Sequence, residues 1–273
     1  MSTYTLLHLT DVHITPGGLL HGAADSLAAL RSAVAAASAS GTPIDALVLS
    51  GDLADQGDEA SYRTLREVVE GSGLPMIAAM GNHDERAAFR SALLGEEPSD
   101  EPYDRVSWIR GLRVVTLDST VPGAHHGELD EAQLDRLAGV LAEPAPDGTV
   151  LVLHHPPIRS VLPLMDGIGL REPEKLAGVL AGTDVRLVLA GHTHSATWGT
   201  LAGIPVWVGP GNAYGADTLP PAGITRALNV QAFTRIDLGP DGPLITVVPL
   251  TQAPPVYELA TERLLSHLVS HSG

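Results

Sequence analysis

The chain has 273 residues, 44% hydrophobic and 18% charged, a composition that excludes disorder as its main state. It contains no cysteine, which excludes disulfides, thiolate nucleophiles and Cys-ligated zinc and fits a reducing compartment. Sixteen Lys and Arg against 32 Asp and Glu leave a formal charge of −16, which repels polyanions and argues against a nucleic-acid polymer as partner.

The first ten residues carry no Lys or Arg ahead of their apolar stretch and soon meet Asp11, unlike a secretory signal. No uncharged apolar run approaches the roughly 20 residues that span a bilayer. The expectation is a cytoplasmic protein with no membrane span.

In chain order, the predicted strands are Thr5–Thr10, Ala46–Ser50, Met76–Met80, Leu112–Leu117, Thr149–Leu153 and Arg186–Ala190. Each is a short run rich in Leu, Val and Ile, as a buried strand requires. Between them the pattern predicts helices at Asp25–Ala39, Glu59–Glu70, Glu85–Leu94, Asp130–Leu141 and Glu172–Leu180. The first opens on Asp25-Ser26, good N-cap residues, and stops before Gly41 and Pro43. Strands alternating with helices indicate an α/β protein.

The last quarter reads differently. Thr197–Thr200, Pro205–Val208, Ala227–Ile236 and Leu244–Leu250 are strand-like with no long helix between them, which predicts a second, antiparallel sheet packed on the first. Residues 209–226 form a Gly- and Pro-rich loop too long for a plain connector. Val256–Ser270 reads as a terminal helix. No linker interrupts the pattern, so one domain is expected over 1–273, with its core at about 5–250 and a tail at 251–273.

Histidines and carboxylates gather just past the predicted strands. In order they are Asp11-Val12-His13, Gly51-Asp52, Gly81-Asn82-His83-Asp84, His154-His155-Pro156-Pro157 and Gly191-His192-Thr193-His194. Taken singly, each is weak: a strand-end Asp or His is more often a cap or a loop hydrogen bond, and His155 could be a satisfied structural histidine. Jointly they are strong, because ligands of α/β sheets collect at the carboxyl ends of strands. Asp11, His13, Asp52, Asn82, His154, His192 and His194 are hard-to-borderline O and N donors. Seven are too many for one tetrahedral ion but suffice for two if one carboxylate bridges, an arrangement suited to attack on phosphorus.

With these blocks in this order, the sequence resembles the calcineurin-like metallophosphoesterases, whose pattern is D-x-H, G-D, G-N-H-D/E, H and G-H-x-H. The stretches GDLADQG (51–57), MGNHDERA (80–87), VPGAHHGELD (121–130), LHHPPIRSVL (153–162) and GTDVRLVLAGHTH (182–194) are most similar to the actinobacterial class III cyclic nucleotide phosphodiesterases. The resemblance implies an α/β fold, a four-layer α/β/β/α sandwich of two packed mixed sheets. It places one metal on Asp11, His13, Asp52 and His194, and a second on Asp52, Asn82, His154 and His192. The His-x-Pro pattern selects His154, with His155 the alternative one residue away. Iron and manganese are the favoured pair, with zinc, cobalt and magnesium also admitted by the donors.

The implied activity is hydrolysis of 3′,5′-cyclic AMP to 5′-AMP by a water activated between two metals, with Asn82 and His83 as catalytic residues and His83 as general acid or phosphate ligand. Asp84 would orient His83 or cap a helix. A glycerophosphodiesterase, or a broad phosphodiesterase that also takes 2′,3′-cyclic nucleotides, shares the same motifs, and a non-catalytic scaffold is the alternative of another class. Gln56 stands where the protein-phosphatase branch has Arg, which argues against phosphoprotein substrates. His125, His126 and the 209–226 loop with Tyr214 are candidates by position for holding base and ribose. The long loop and the terminal segment are candidates for building a homodimer.

Overall fold

A computed structural model describes residues 2–250 and 254–261. In the first half, β1 (Tyr4–Leu9), α1 (Ser26–Ala39), β2 (Ala46–Ser50), α2 (Glu59–Glu70) and β3 (Met76–Ala79) follow one another, then α3 (Arg86–Ala88) runs into a wider π-helical turn at Phe89–Leu94. Next come β4 (Arg105–Ile109), β5 (Leu112–Thr116), α4 (Glu131–Leu141), β6 (Thr149–Val152), α5 (Pro163–Asp166), α6 (Pro173–Leu180) and β7 (Val185–Ala190). The chain closes with β8 (Thr197–Leu201), β9 (Ile204–Val208), the short β10 (Gly215–Ala216) and β11 (Ala227–Leu228), and the long hairpin β12 (Gln231–Gly239) and β13 (Gly242–Leu250).

Two mixed sheets result, ordered β13-β12-β1-β2-β3 and β4-β5-β6-β7-β9-β8. Strand side chains alternate between faces, and that period of two builds the layers. Tyr4, Leu6, Ala46 and Val48 of the first sheet meet Val114, Val150, Val152 and Leu187 of the second between the sheets. The intervening residues Leu7, Leu9, Leu47 and Leu49 face outward, against Leu30 and Ala33 of α1 and Leu65 and Val69 of α2. On the far side Val115, Leu151 and Val188 pack on Leu134 and Leu137 of α4 and on Leu176 and Leu180 of α6. The four layers are therefore α/β/β/α, as expected. Both faces of the parallel strands are covered, which explains their nearly unbroken apolar runs.

The helix starts follow capping chemistry. Asp25, Asp58 and Asp130 each accept a backbone N–H three residues on, and Asp130 forms a reciprocal box with Gln133. One expectation is corrected: apart from the two-stranded β10-β11 pair, the last-quarter strands do not make a sheet of their own. β12 pairs antiparallel with β1 (Tyr4 opposite Leu238), while β9 pairs parallel with β7 and carries β8 at the edge. Local periodicity specifies a strand but not its partner, and each hairpin extends a different sheet. The stretch expected as one strand, 227–236, is divided into β11 and β12, and the predicted helix 85–94 is mostly a π-helical turn. Edge strand β4 escaped the sequence reading because its residues are exposed or half-buried and carry no buried apolar run. The terminal helix expected at Val256–Ser270 lies mostly outside the described residues; 256–260 are without regular structure. Among the described residues no helix is long and apolar enough to cross a membrane.

Candidate metal centre

The parallel strands β1, β2 and β3 of one sheet and β6 and β7 of the other deliver their carboxyl ends to one rim. The β1–β2 ladder continues past both strands, with Asp11 N–H donating to the Gly51 carbonyl (3.0 Å) and His13 N–H to the Asp52 carbonyl (2.9 Å). Gly191 N–H donates to the His154 carbonyl (2.9 Å) and joins β6 to β7 in the same way. At Gly81 a Cβ would overlap the Asp52 backbone nitrogen, so only glycine lets the β3 turn close against the β2 turn.

Asp11, His13, Asp52, His192 and His194 all adopt positive φ, between 45° and 72°. For residues with a Cβ this region costs on the order of 1–2 kcal/mol each. Five such residues at the ends of strands from two sheets are held against that cost by the surrounding ladders, as strain at functional sites is. The left-handed turn points each side chain inward.

Six of the seven expected donors fall into two clusters, and Asn82 lines the same cavity as Asp52. Asp11, His13 and His194 form one cluster and Asp52, His154 and His192 another, with donor atoms of each within 4.8 Å. Asp52 Oδ2 lies 3.2 Å from His154 Nε2 and 3.6 Å from His13 Nε2, which places it between the clusters. Asp11 Oδ1 is 3.3 Å from His194 Nε2, and both Asp11 oxygens accept the His192 N–H. Asn82 Oδ1 is buried without a hydrogen-bond partner.

Backbone carbonyls set the ring tautomers, since they only accept. His154 Nδ1–H donates to the Ser50 carbonyl (2.8 Å) and His194 Nδ1–H to the Tyr214 carbonyl (3.0 Å), leaving each Nε2 free. His192 is reversed: its Nε2–H donates to the Ile168 carbonyl (3.0 Å), leaving Nδ1. These are the outer partners that metal-binding histidines require. His155, by contrast, has both nitrogens engaged, Nδ1 by Ser119 Oγ and Nε2 by the His125 carbonyl.

Buried donors converge here on unpartnered lone pairs and two carboxylates, and this set fits a pair of divalent or trivalent cations. The electrostatics of the protein alone agree. Burial opposes ionisation of Asp52, but His154 and then His13 and His83 hold its carboxyl well below the ordinary range. Burial likewise opposes protonation of His154, and Asp52 outweighs it, raising that imidazole to about 9. His192 is lowered to about 4 by burial and by His154, only partly offset by Asp52 and Asp11.

One contributor went unassigned in the sequence. Asp55 Oδ1 lies 3.3 Å from His13 Nδ1, and this contact, above the opposing effect of burial, lowers Asp55 to about 2. Its signal was available, three residues past Asp52 in GDLADQG. His83 lines the cavity beside the donors, its Nδ1–H donating to the Asp55 carbonyl (2.9 Å) and its Nε2 left toward the cavity. Asp84 neither orients His83 nor caps α3. It accepts the N–H groups of Leu53, Ala54 and Gly81 and the Tyr62 hydroxyl, and so clamps the β2 and β3 turns together.

The rim opens into a cavity of ≈ 660 Å³ lined by Asp52, Asn82 and His83 on the floor. Its walls come from residues 161–168 and 216–227, with His125 at one side. His126 turns away to Glu128 (3.0 Å) and is not among the lining residues. Tyr214 lines the cavity while its ring stacks on His194, with centroids 4.0 Å apart, so it buttresses a donor.

Comparison with known proteins accords with this geometry. Residues 4–196 match the family described as calcineurin-like phosphoesterase. The chain is 46% identical over 253 residues to a Mycobacterium tuberculosis protein named cAMP/cGMP dual specificity phosphodiesterase, covering 90% of this chain and 80% of that one. It is 48% identical over 216 residues to a probable cyclic nucleotide phosphodiesterase of Rhodococcus erythropolis, covering 78% and 72%. The fold matches purple acid phosphatase from yellow lupin with a TM-score of 0.63 at 15% identity, over 91% of this chain and 52% of the lupin chain. The chain belongs to the calcineurin-like phosphoesterase family.

Proposed function

We propose that this protein is a binuclear metal-dependent phosphodiesterase that hydrolyses 3′,5′-cyclic AMP to 5′-AMP, with residues 5–250 as its catalytic unit. The observation that carries the reading is Asp52, set between two buried donor clusters at the floor of a cavity of ≈ 660 Å³. That volume lies within the range of small-ligand sites. The names of the two relatives above support the substrate class.

Asp11, His13, Asp52 and His194 would hold one ion, and Asp52, Asn82, His154 and His192 the other. Iron and manganese remain the favoured pair. Such a pair, when bound, supplies Lewis acidity and lowers the pKa of a water toward neutrality.

The remaining work belongs to the chain. Asn82 gives its Oδ1 to the rim, and its amide N–H₂ is left for a phosphate oxygen. His83, anchored through Nδ1, presents Nε2 to the cavity; in its protonated form it would give that proton to the 3′ oxygen as the oxygen of water bonds to phosphorus and the P–O3′ bond breaks. The walls at 161–168 and 216–227 exclude water from the nucleoside and supply mainly apolar contact, including Met165, Ile168 and Ile224.

The test is kcat/KM for 3′,5′-cAMP, 2′,3′-cAMP and a glycerophosphodiester on Mn²⁺-reconstituted protein. A hundredfold preference for the first corresponds to about 2.7 kcal/mol of differential transition-state binding. Equal values would mean a broad phosphodiesterase. No metal-restored turnover of any of the three would mean a scaffold.

A further inference from the structure

His155 is fully buried beside the rim, and the proposed chemistry gives it no part. Its Nε2 faces the His125 carbonyl at 3.2 Å, and a carbonyl accepts only, so the ring proton sits on Nε2. Nδ1 is then the acceptor, and Ser119 Oγ–H donates to it at 2.8 Å.

The bonded carbonyl belongs to the loop that carries His125 into the cavity. That loop closes through a bridge between Thr120 and Gly127 and through the Glu128 N–H donating to the Ser119 carbonyl (3.0 Å). Gly127 crosses the His155 ring so closely that a Cβ would overlap Cγ. The same ring packs on His192, with centroids 4.7 Å apart. One imidazole thus touches both a candidate metal donor and the backbone of a cavity wall.

We infer that His155 is a positioning residue that ties the His125 loop to the rim and thereby sets substrate affinity. The inference rests on the proposed function, because it is read through phosphodiester turnover.

The experiment uses the full Mn²⁺-reconstituted chain with 3′,5′-cAMP and compares His155→Leu, His155→Gln, His125→Ala and the His125→Ala/His155→Leu double variant. His155→Leu is expected to raise KM about tenfold with kcat within about twofold. Metal content per chain is expected to stay unchanged. His155→Gln, whose amide can donate to the His125 carbonyl, recovers most of the affinity. The double variant is no worse than His125→Ala, since both act through one loop. An unchanged KM, kcat and metal content falling together, or losses that multiply in the double variant would each overturn the inference. If His155→Leu does not fold, the same cycle is run with His155→Ala, which also lacks the donor, and the same coupling is required. A wild-type chain that turns over no phosphodiester would overturn the proposed function itself, and this inference with it.

Discussion

The Nε2 atoms of His13 and His194 face each other at 3.3 Å, although they lie 181 residues apart and follow strands of different sheets. The other nitrogen of each ring is committed, to Asp55 in one case and to the Tyr214 carbonyl in the other. Two imidazole edges at this distance, with Asp11 Oδ1 3.3 Å from one of them, need a proton or a cation between them. The fold brings the ends of both sheets to this one point.

Removing the shared carboxylate tests the centre directly. Asp52→Ala is expected to lower kcat/KM by at least about a hundredfold and to reduce bound metal per chain, since the effect of a ligand exceeds that of its outer partners. Near wild-type turnover and metal content in this variant would refute the binuclear reading.

Asp55→Asn releases His13 Nδ1 from its carboxylate without altering size. The expected loss is about 10–100-fold in activity or metal affinity, with the fold intact. Metal titration of the apoprotein separates the two, and identical titration and turnover in the variant would show Asp55 to be a bystander.

Gly81→Ala places a methyl group against the Asp52 backbone, which cannot move without disturbing β2. A strain of about 1–3 kcal/mol is expected, together with a loss of activity larger than the loss of stability. Thermal unfolding and turnover of the same preparation give the comparison; an active, fully stable variant would contradict it.

His8 gives acid sensitivity with a definite sign. Burial, partly offset by the Asp11 carboxylate, lowers its pKa from 6.5 to about 4. Between those values the unfolded chain binds more protons, so stability is fully present above pH 6.5 and falls as pH drops toward 4. The loss amounts to about 3 kcal/mol. His8→Gln, which does not titrate, should lose less across this window in urea unfolding of the metal-free chain. Parallel acid limbs for the two proteins would show that His8 stays neutral in both states.

Arg113 is buried between sheet and helix, where it pairs with Asp184 at 2.9 Å and donates to the Thr149 hydroxyl and the Val140 and Glu143 carbonyls. Arg113→Leu leaves Asp184 without its cation and is expected to cost about 3–5 kcal/mol. The variant that remains folded at low temperature should keep its kcat. A stable Arg113→Leu would mean that water replaces the guanidinium.

Sequence and tertiary structure divide the explanation along a physical line. Spacing and residue type alone determined the parallel strands, the helix cap at Asp25, and the five polar segments at strand ends, because those depend on neighbours within a few residues. The family resemblance marked His154 ahead of His155; in the structure the His154 ring turns Nε2 to the Asp52 carboxylate, while His155 is engaged at both nitrogens by Ser119 and the His125 carbonyl. Contacts across the chain decided the rest. Which sheet β9 and β12 would join depends on partners far away in sequence, and so does the role of Asp84, whose donors lie on the turn after β2 as well as on its own turn after β3. The partners that orient His154, His194 and His192 are carbonyls of Ser50, Tyr214 and Ile168. Every residue carries the same carbonyl, so no side-chain pattern could announce these three; only the packing of two sheets at one rim selected them.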